Sequence, residues 1–349
     1  MTAYTTKTAV FCLLILFSGV ELLIWVGVAS ALFSVFLAVL ENDGRRLLSY
    51  HIISQVGYMV TGIGMGTQLS LNGAASHAFC HILYKALLYM GAGCPLVVVG
   101  TVKFHQLGGL YKYMPFSFWL TMIGGFSISA FPLFSGFVSK TMTLEAAELL
   151  HRPVVYLILE GASIGTFLHT GLKLPWNIWL QGKDEPIPEI RVHLKDSALN
   201  TPVHMLIGMG ILAFLCIFFG MAPGYLYNML PYPVEFVPFT LTRIFSTIQM
   251  FVFSFLGFWL LRSLVKGHPT LTLDTDWLVR ITGGFFLHFC KKNLVRAGSA
   301  LDQRITMALL SVVGKLKSPK IEAILNPQSV GIGMLASLLL LAMFILYHV

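Results

Sequence analysis

The sequence predicts an all-α integral membrane protein of about nine transmembrane helices, one of them discontinuous. Three observations carry that reading. Of 349 residues, 56% are hydrophobic and only 11% charged, where soluble domains run near ~25% charged. Mean hydropathy is +0.79. Apolar windows of about 17–25 residues recur, the length an α-helix needs to cross a bilayer, and the dyad alternation of an outer-membrane barrel is missing.

Taken in order, the helices are expected over residues 3–18, 22–40, 47–66, 73–98, 116–150, 154–176, 202–222, 237–264 and 329–347. The first has Lys7 near its start, a pattern shared with secretory leaders, but no convincing small-x-small cleavage site precedes Glu21. The third carries the polar cluster Ser49, Tyr50, His51, Ser54 and Gln55 in its first half. The sixth carries Glu160, His169 and Lys173, the last beside Pro175 and Trp176 and expected at the interface. Residues 1–222 read as one transmembrane domain. Residues 223–349 read as an extension: helix 237–264, a basic segment 266–322 with an amphipathic stretch at 293–313, and the plain anchor 329–347.

The fourth helix holds the strongest functional signal. His77, His81 and Lys85 are spaced i, i+4, i+8, so they drift only about 40° per step and climb roughly 12 Å along one stripe. A charge at the centre of a membrane helix costs at least ~2.5 kcal/mol and persists where it faces a protein interior or a wet pathway. Two imidazoles and an ammonium on one stripe have the form of a proton relay.

The run 116–150 is too long for one plain crossing. Near its middle stand Pro132 and Gly136, with Lys140 just beyond and Glu145 and Glu148 after it. Proline removes a backbone donor and breaks the helix, and broken backbone at membrane depth belongs in a protein interior or beside a wet cavity. A charge next to such a break is a recurring ion-site device; the plainer reading is a proline kink with Lys140 reaching to an interface. Glu160 and His169 are secondary candidates.

Other chemistries fit less well. Two histidines at i, i+4 also have zinc-ligand spacing, but residue 78 is Ala where a metalloprotease needs its glutamate, so no metal site is expected. The five cysteines stand singly in apolar runs and read as packing residues. Neither an iron–sulfur cysteine set nor a dinucleotide fingerprint occurs, so no cofactor is expected and the chain is not expected to be a catalyst by itself. The net charge of +8 is concentrated between Lys266 and Glu322, with nine Lys/Arg against four Asp/Glu. In a membrane protein that block points to anionic lipid, not nucleic acid.

Basic residues also set the orientation. Arg45, Arg46, Lys103, Lys112, Lys183, Arg191, Lys195 and the block after Arg262 fall on one side, against Arg152 on the other. The first side is therefore expected to be cytoplasmic, with the N-terminus inside, the C-terminus outside, and the plasma (inner) membrane as the location.

TTKTAVFCLL (5–14), RRLLSYHIISQVGYM (45–59), HAFCHILYKALLYM (77–90), HQLGGLYKYMP (105–115) and FPLFSGFVSK (131–140) together resemble the antiporter-like membrane subunits of respiratory complex I and of Mrp-type multi-subunit sodium/proton antiporters. Within that family the likeness is to the D-type Mrp component or to the complex I component called chain 5. The resemblance covers about residues 3–222 and falls on that family's second half; TLDTDW (272–277) is only suggestive. It implies a half-channel built on a discontinuous helix and joined to a line of buried charges. In that scheme Lys7 is the bridging lysine, His77, His81 and Lys85 are the ionisable groups of one helix, and Lys140 is the lysine of the broken helix. It further implies other membrane subunits as partners, membrane lipid around them, H+ with or without Na+ as the transported ion, and membership of an NADH:quinone oxidoreductase-type translocase as one setting. The family's first half-channel has no counterpart here, which points to a truncated gene or a naturally halved subunit, truncation being favoured. The alternative is a transport-inert scaffold subunit of a membrane oxidoreductase complex. The turn Asn42-Asp43-Gly44-Arg45-Arg46 departs from the family's usual acidic pattern.

Overall fold

The computed structural model describes residues 2–181, 194, 199–265, 267 and 276–295, with a few isolated positions beyond. It divides into two compact units, residues 1–272 and 273–349. Helix α1 spans Thr2–Leu16, α2 Glu21–Leu40, α3 Gly44–Met65, α4 Gln68–Val99, α5 Pro115–Ile128, α6 Ser135–Leu149 and α7 Pro153–Thr166. The chain continues from α7 as two π-helical stretches, Phe167–Lys173 and Trp176–Leu180. Then come α8 (Val203–Met221), the short α9 (Pro223–Tyr227) and α10 (Leu241–Val265). In the second unit the described residues form α11, Asp276–Phe289, running into a π-turn at Cys290–Val295. Among the described residues there is no β-strand.

Five of these helices are long and apolar enough to cross a membrane: Glu21–Leu40, Gln68–Val99, Pro153–Leu180, Val203–Met221 and Leu241–Ser263. The chain is a multi-pass membrane protein. The stretch 293–313 lies mostly, and the anchor 329–347 almost wholly, outside the described residues.

Local chemistry sets the ends. Asp43 caps α3 by accepting from the Arg45 and Arg46 amides at 2.9 and 3.0 Å, which starts the helix three residues before the apolar pattern does. Thr67 and Ser70 form a capping box on α4, so that helix opens at Gln68, before residue 73. Gly66 and Gly100 close α3 and α4 in the left-handed region that suits glycine.

Helix α4 is the centre of the first unit, packing against α1, α3, α5, α6 and α8. Its inner face joins the main core of Leu47, Leu48, Tyr84, Leu87, Leu88, Phe104 and Trp179. Helices α2 and α3 touch backbone to backbone: a Cβ on Gly27 would lie 2.7 Å from the Gly57 carbonyl oxygen. Small residues permit such close approach in membrane bundles. Large apolar side chains such as Phe33, Phe36, Leu157, Phe214 and Phe253 point outward, as a lipid-facing surface requires.

The run expected to break does so. Helix α5 stops at Ile128 and α6 begins at Ser135. In between, Ala130 and Leu133 hold φ of 65° and 74°, a conformation unfavourable for residues with a Cβ. Gly136 lets the two halves meet: a Cβ there would overlap the Ser127 carbonyl oxygen.

Candidate functional site: a basic, hydrogen-bonded interior

The stripe on α4 faces inward along its length. His77 is 1% exposed, and His81 and Lys85 are fully buried. Across from it α3 presents His51, Gln55 and Tyr58, all buried, and α6 contributes Ser139 and Lys140.

His77 is the best-connected of the imidazoles. Its Nε2 lies 3.1 Å from Gln55 Oε1, and Gln55 Nε2 donates to Thr166 Oγ1 at 3.3 Å. Thr166 in turn donates to the Ala162 carbonyl at 2.9 Å. That chain fixes directions: Gln55 Oε1 can only accept, so His77 carries its hydrogen on Nε2. Nδ1 then accepts from Ser139 Oγ or Tyr84 OH, each at 3.2 Å. His81 follows, its ring centroid 6.1 Å from that of His77 and 5.5 Å from that of Tyr84. Neither ring nitrogen of His81 has a hydrogen-bond partner among the described residues.

Lys85 is held without a counter-ion among the described residues. Its ammonium donates to the Leu48 carbonyl at 2.6 Å, lies 3.1 Å from His51 Nδ1, and sits 5.3 Å from the centroid of the Tyr89 ring. Lys140 is held in a similar way at the helix break. It donates to the Ile128 carbonyl at 2.8 Å and lies 5.1 Å from the Tyr58 ring centroid. Ile128 ends α5, and terminal carbonyls of a helix lack intrahelical donors, so Lys140 satisfies an acceptor that the break creates. Such a site favours a cation through the helix dipole. Burying an ammonium still costs several kcal/mol, and carbonyls offset that only in part.

The other expected residues fall as follows. Lys7 on α1 is 8% exposed and close enough to act electrostatically on His77, His81 and Lys85. Pro132 and Gly136 lie at the break, both buried. His169 is fully buried in the π-helical stretch, its ring centroid 5.0 Å from that of His51. Glu160 stands apart from the stripe. With Glu145, Glu148, Tyr156 and Arg243 it lines a cavity of about 190 Å³, where Arg243 pairs with Glu145 at 2.6 Å.

Lys173, expected at the interface, lies at the end of α2 and is covered by protein. It is 2% exposed, and its Nζ donates to the Val39 and Glu41 carbonyls at 2.5 and 2.7 Å. The end of α2 supplies the acceptors that hold it inside, and Pro175 and Trp176 beside it give no sign of this. From sequence, His51 and Gln55 stand out as polar but not as neighbours of the α4 stripe, and Tyr58 and Tyr84 do not stand out at all. The available signal is the spacing 51, 55, 58, a single face of α3 that has to be buried against something polar.

Fold and site together define a polytopic helical membrane protein with a basic interior arranged around a broken helix. Residues 3–167 match the family model described as NADH:quinone oxidoreductase/Mrp antiporter, TM. Over that stretch, just under half of its length, the chain is similar to the antiporter-like membrane subunits of that family. It is 34% identical over 223 residues to an uncharacterized protein of Methanocaldococcus jannaschii, covering 62% of this chain and 45% of the relative. It is 34% identical over 180 residues to the D component of the Na(+)/H(+) antiporter of Alkalihalophilus pseudofirmus, covering 52% and 36%. To the NADH-ubiquinone oxidoreductase chain 5 of Talaromyces marneffei it is 33% identical over 214 residues, covering 59% and 31%. The chain thus spans less than half the length of these relatives. Its fold is similar to a chain of the Mrp complex from Dietzia sp. (TM-score 0.52, 23% identity, covering 58% of this chain and 45% of that one). It is also similar to a chain of the membrane-bound sulfane sulfur reductase, an archaeal respiratory membrane complex (TM-score 0.56, 23% identity, covering 92% and 55%).

Proposed function

We propose that this chain is a proton-translocating membrane subunit working within a multi-subunit antiporter or complex I-like assembly. Its route runs from Lys140 at the helix break through His77 and His81 to Lys85, with Lys7 as the link to neighbouring charge. The observation that carries this reading is the environment of Lys85: a fully buried ammonium bonded to a carbonyl oxygen and an imidazole nitrogen. Such a group can give up its proton without abandoning an ion pair, and the imidazole beside it can receive one. We place the turn at Asn42–Arg46 and the N-terminus on the cytoplasmic side of the plasma membrane, following the bias of basic residues.

The test is Lys85→Ala beside Lys85→Arg, with initial rates of proton movement measured in vesicles carrying the assembled complex. Both variants are expected to assemble and both to lose transport by on the order of a hundredfold. Arginine keeps the charge but does not release its proton. Wild-type transport by the arginine variant would mean that Lys85 supplies only a positive charge, and the relay reading would be wrong.

A further inference from the structure

The Lys85 ammonium has a neighbour that the α4 stripe does not use. His51 Nδ1 sits 3.1 Å from Lys85 Nζ, and because the ammonium can only donate, neutral His51 carries its hydrogen on Nε2. That Nε2 has no hydrogen-bond partner among the described residues, and the adjacent His169 has only the Gly165 carbonyl one turn earlier within reach of its ring. Both rings are fully buried, with centroids 5.0 Å apart and planes at 64°. Ring nitrogens buried with so few partners are a standing cost that an apolar pair would avoid.

The backbone around His169 is also unusual. It lies in a seven-residue π-helical stretch, Phe167–Lys173, and π-helical insertions concentrate at functional sites. Four residues after His169, Lys173 reaches the Val39 and Glu41 carbonyls at the end of α2. The Glu41 carboxylate stands 3.8 Å from Nε of the half-exposed Arg46. The segment that bears His169 therefore leads from Lys85 to the margin of the bundle.

We propose that His51 and His169 form a branch that takes protons from Lys85 and returns them to it, separate from the His77–His81 stripe, with His169 as its far end. The inference rests on the relay reading of Lys85. In the outward direction a Lys85 N–H proton passes to His51 Nδ1, leaving a neutral amine and an imidazolium. His51 then releases its Nε2 proton to a His169 nitrogen and returns to neutral in the other tautomer. Transfer between the rings needs side-chain rotation, since at rest they meet edge to face with no hydrogen bond between their nitrogens. The groups that act electrostatically on the two rings include Lys85, Lys140, His81 and Lys173, all basic. A charged Lys85 therefore disfavours a charged branch, so the proton occupies one or the other and moves between them in sequence.

The experiment uses the assembled complex in vesicles, with initial proton flux per assembled complex followed from about pH 5.5 to 8.5, the range in which imidazoles titrate. His51→Gln keeps an acceptor for Lys85 but cannot relay, and His169→Gln removes the second ring. Each is expected to lower flux by on the order of a hundredfold and to flatten its pH profile. The double variant is expected to be no slower than the singles, as for two steps in series. His169→Glu, which can carry a proton, is expected to restore part of the flux. Wild-type flux and pH profile in either glutamine variant, with Lys85→Arg inactive, would overturn the branch and leave the relay standing. Equal losses in His169→Glu and His169→Gln would assign His169 a packing role and also overturn the branch. Should His169→Gln fail to assemble, His51→Gln decides alone, because its Nε2 has no bond to lose.

Discussion

Basic residues at the margin of the bundle and in its interior are held by different partners. Arg152 meets the Glu21 carboxylate twice, at 2.5 and 2.8 Å, with both side chains exposed. Arg243 meets Glu145 at 2.6 Å. Lys85, Lys140 and Lys173, in contrast, are buried and donate to backbone carbonyls of Leu48, Ile128, Val39 and Glu41. A carboxylate fixes a positive charge beside it, because losing the proton would strand the anion. A carbonyl oxygen accepts from an ammonium yet loses only one hydrogen bond when the amine is neutral. The margin thus uses cations as fixed charges, and the interior holds them in a form suited to titration. The two carboxylate-paired cations are arginines, which keep their protons, and the three buried carbonyl-held ones are lysines, which shift readily when buried.

This contrast between margin and interior is most exposed at Gly136. The carbonyl hold on Lys140 depends on the break, because Ile128 offers its oxygen to Lys140 only where α5 ends. An added Cβ at residue 136 would collide with the Ser127 backbone oxygen, and no flexible side chain is there to yield. Gly136→Ala is expected to destabilise the fold by about 3 kcal/mol or more and to remove most assembled complex from the membrane, read by native gel and blot. Normal assembly and transport would show that the two half-helices can separate freely, so that their contact positions nothing.

Lys140 itself comes next. Lys140→Met fills a similar volume without charge, leaving the Ile128 carbonyl without its donor at a cost of about 1–3 kcal/mol. Assembly is expected to persist while proton flux falls by on the order of a hundredfold. Lys140→Arg, which keeps the positive end of the contact, is expected to fail in transport as well. Full activity in the arginine variant would make this lysine a fixed charge like Arg152 and would erase the distinction between the two regions.

How much of this was legible in the sequence follows from what each feature depends on. Helices followed from composition, since apolar windows of spanning length have few other uses. The break was legible because Pro132 and Gly136 act on their own backbone. The stripe His77, His81, Lys85 was legible because one helix places all three. Lys173 was not: its burial depends on carbonyls at residues 39 and 41, more than 130 positions earlier, and a local pattern gives no sign of them. His169 was seen only as a stray imidazole for the same reason, its neighbour being 118 positions away on α3. The π-helical backbone of residues 167–173 has no sequence signature that distinguishes it from a regular helix.

The smallest effect is expected at the margin, where the contrast is sharpened by what fails to change. Glu21→Gln removes the negative charge facing Arg152 but keeps an oxygen able to accept from Arg152 and from Trp25 Nε1, which now donates to it at 3.2 Å. Both partners are exposed, so water and salt screen the pair and its net worth is small. Helix α7 does not depend on it either, since Pro153 at its start and the bond from the Tyr156 amide to the Arg152 carbonyl at 3.0 Å are backbone features. Assembly is expected to be unchanged and proton flux to stay within about twofold of wild type, with any difference vanishing at high ionic strength. A tenfold loss of flux that persists in salt would place Glu21 and Arg152 on the transport route. Fixed, carboxylate-paired charge would then belong to the machinery as much as the buried lysines do, and the contrast between margin and interior would have to be given up.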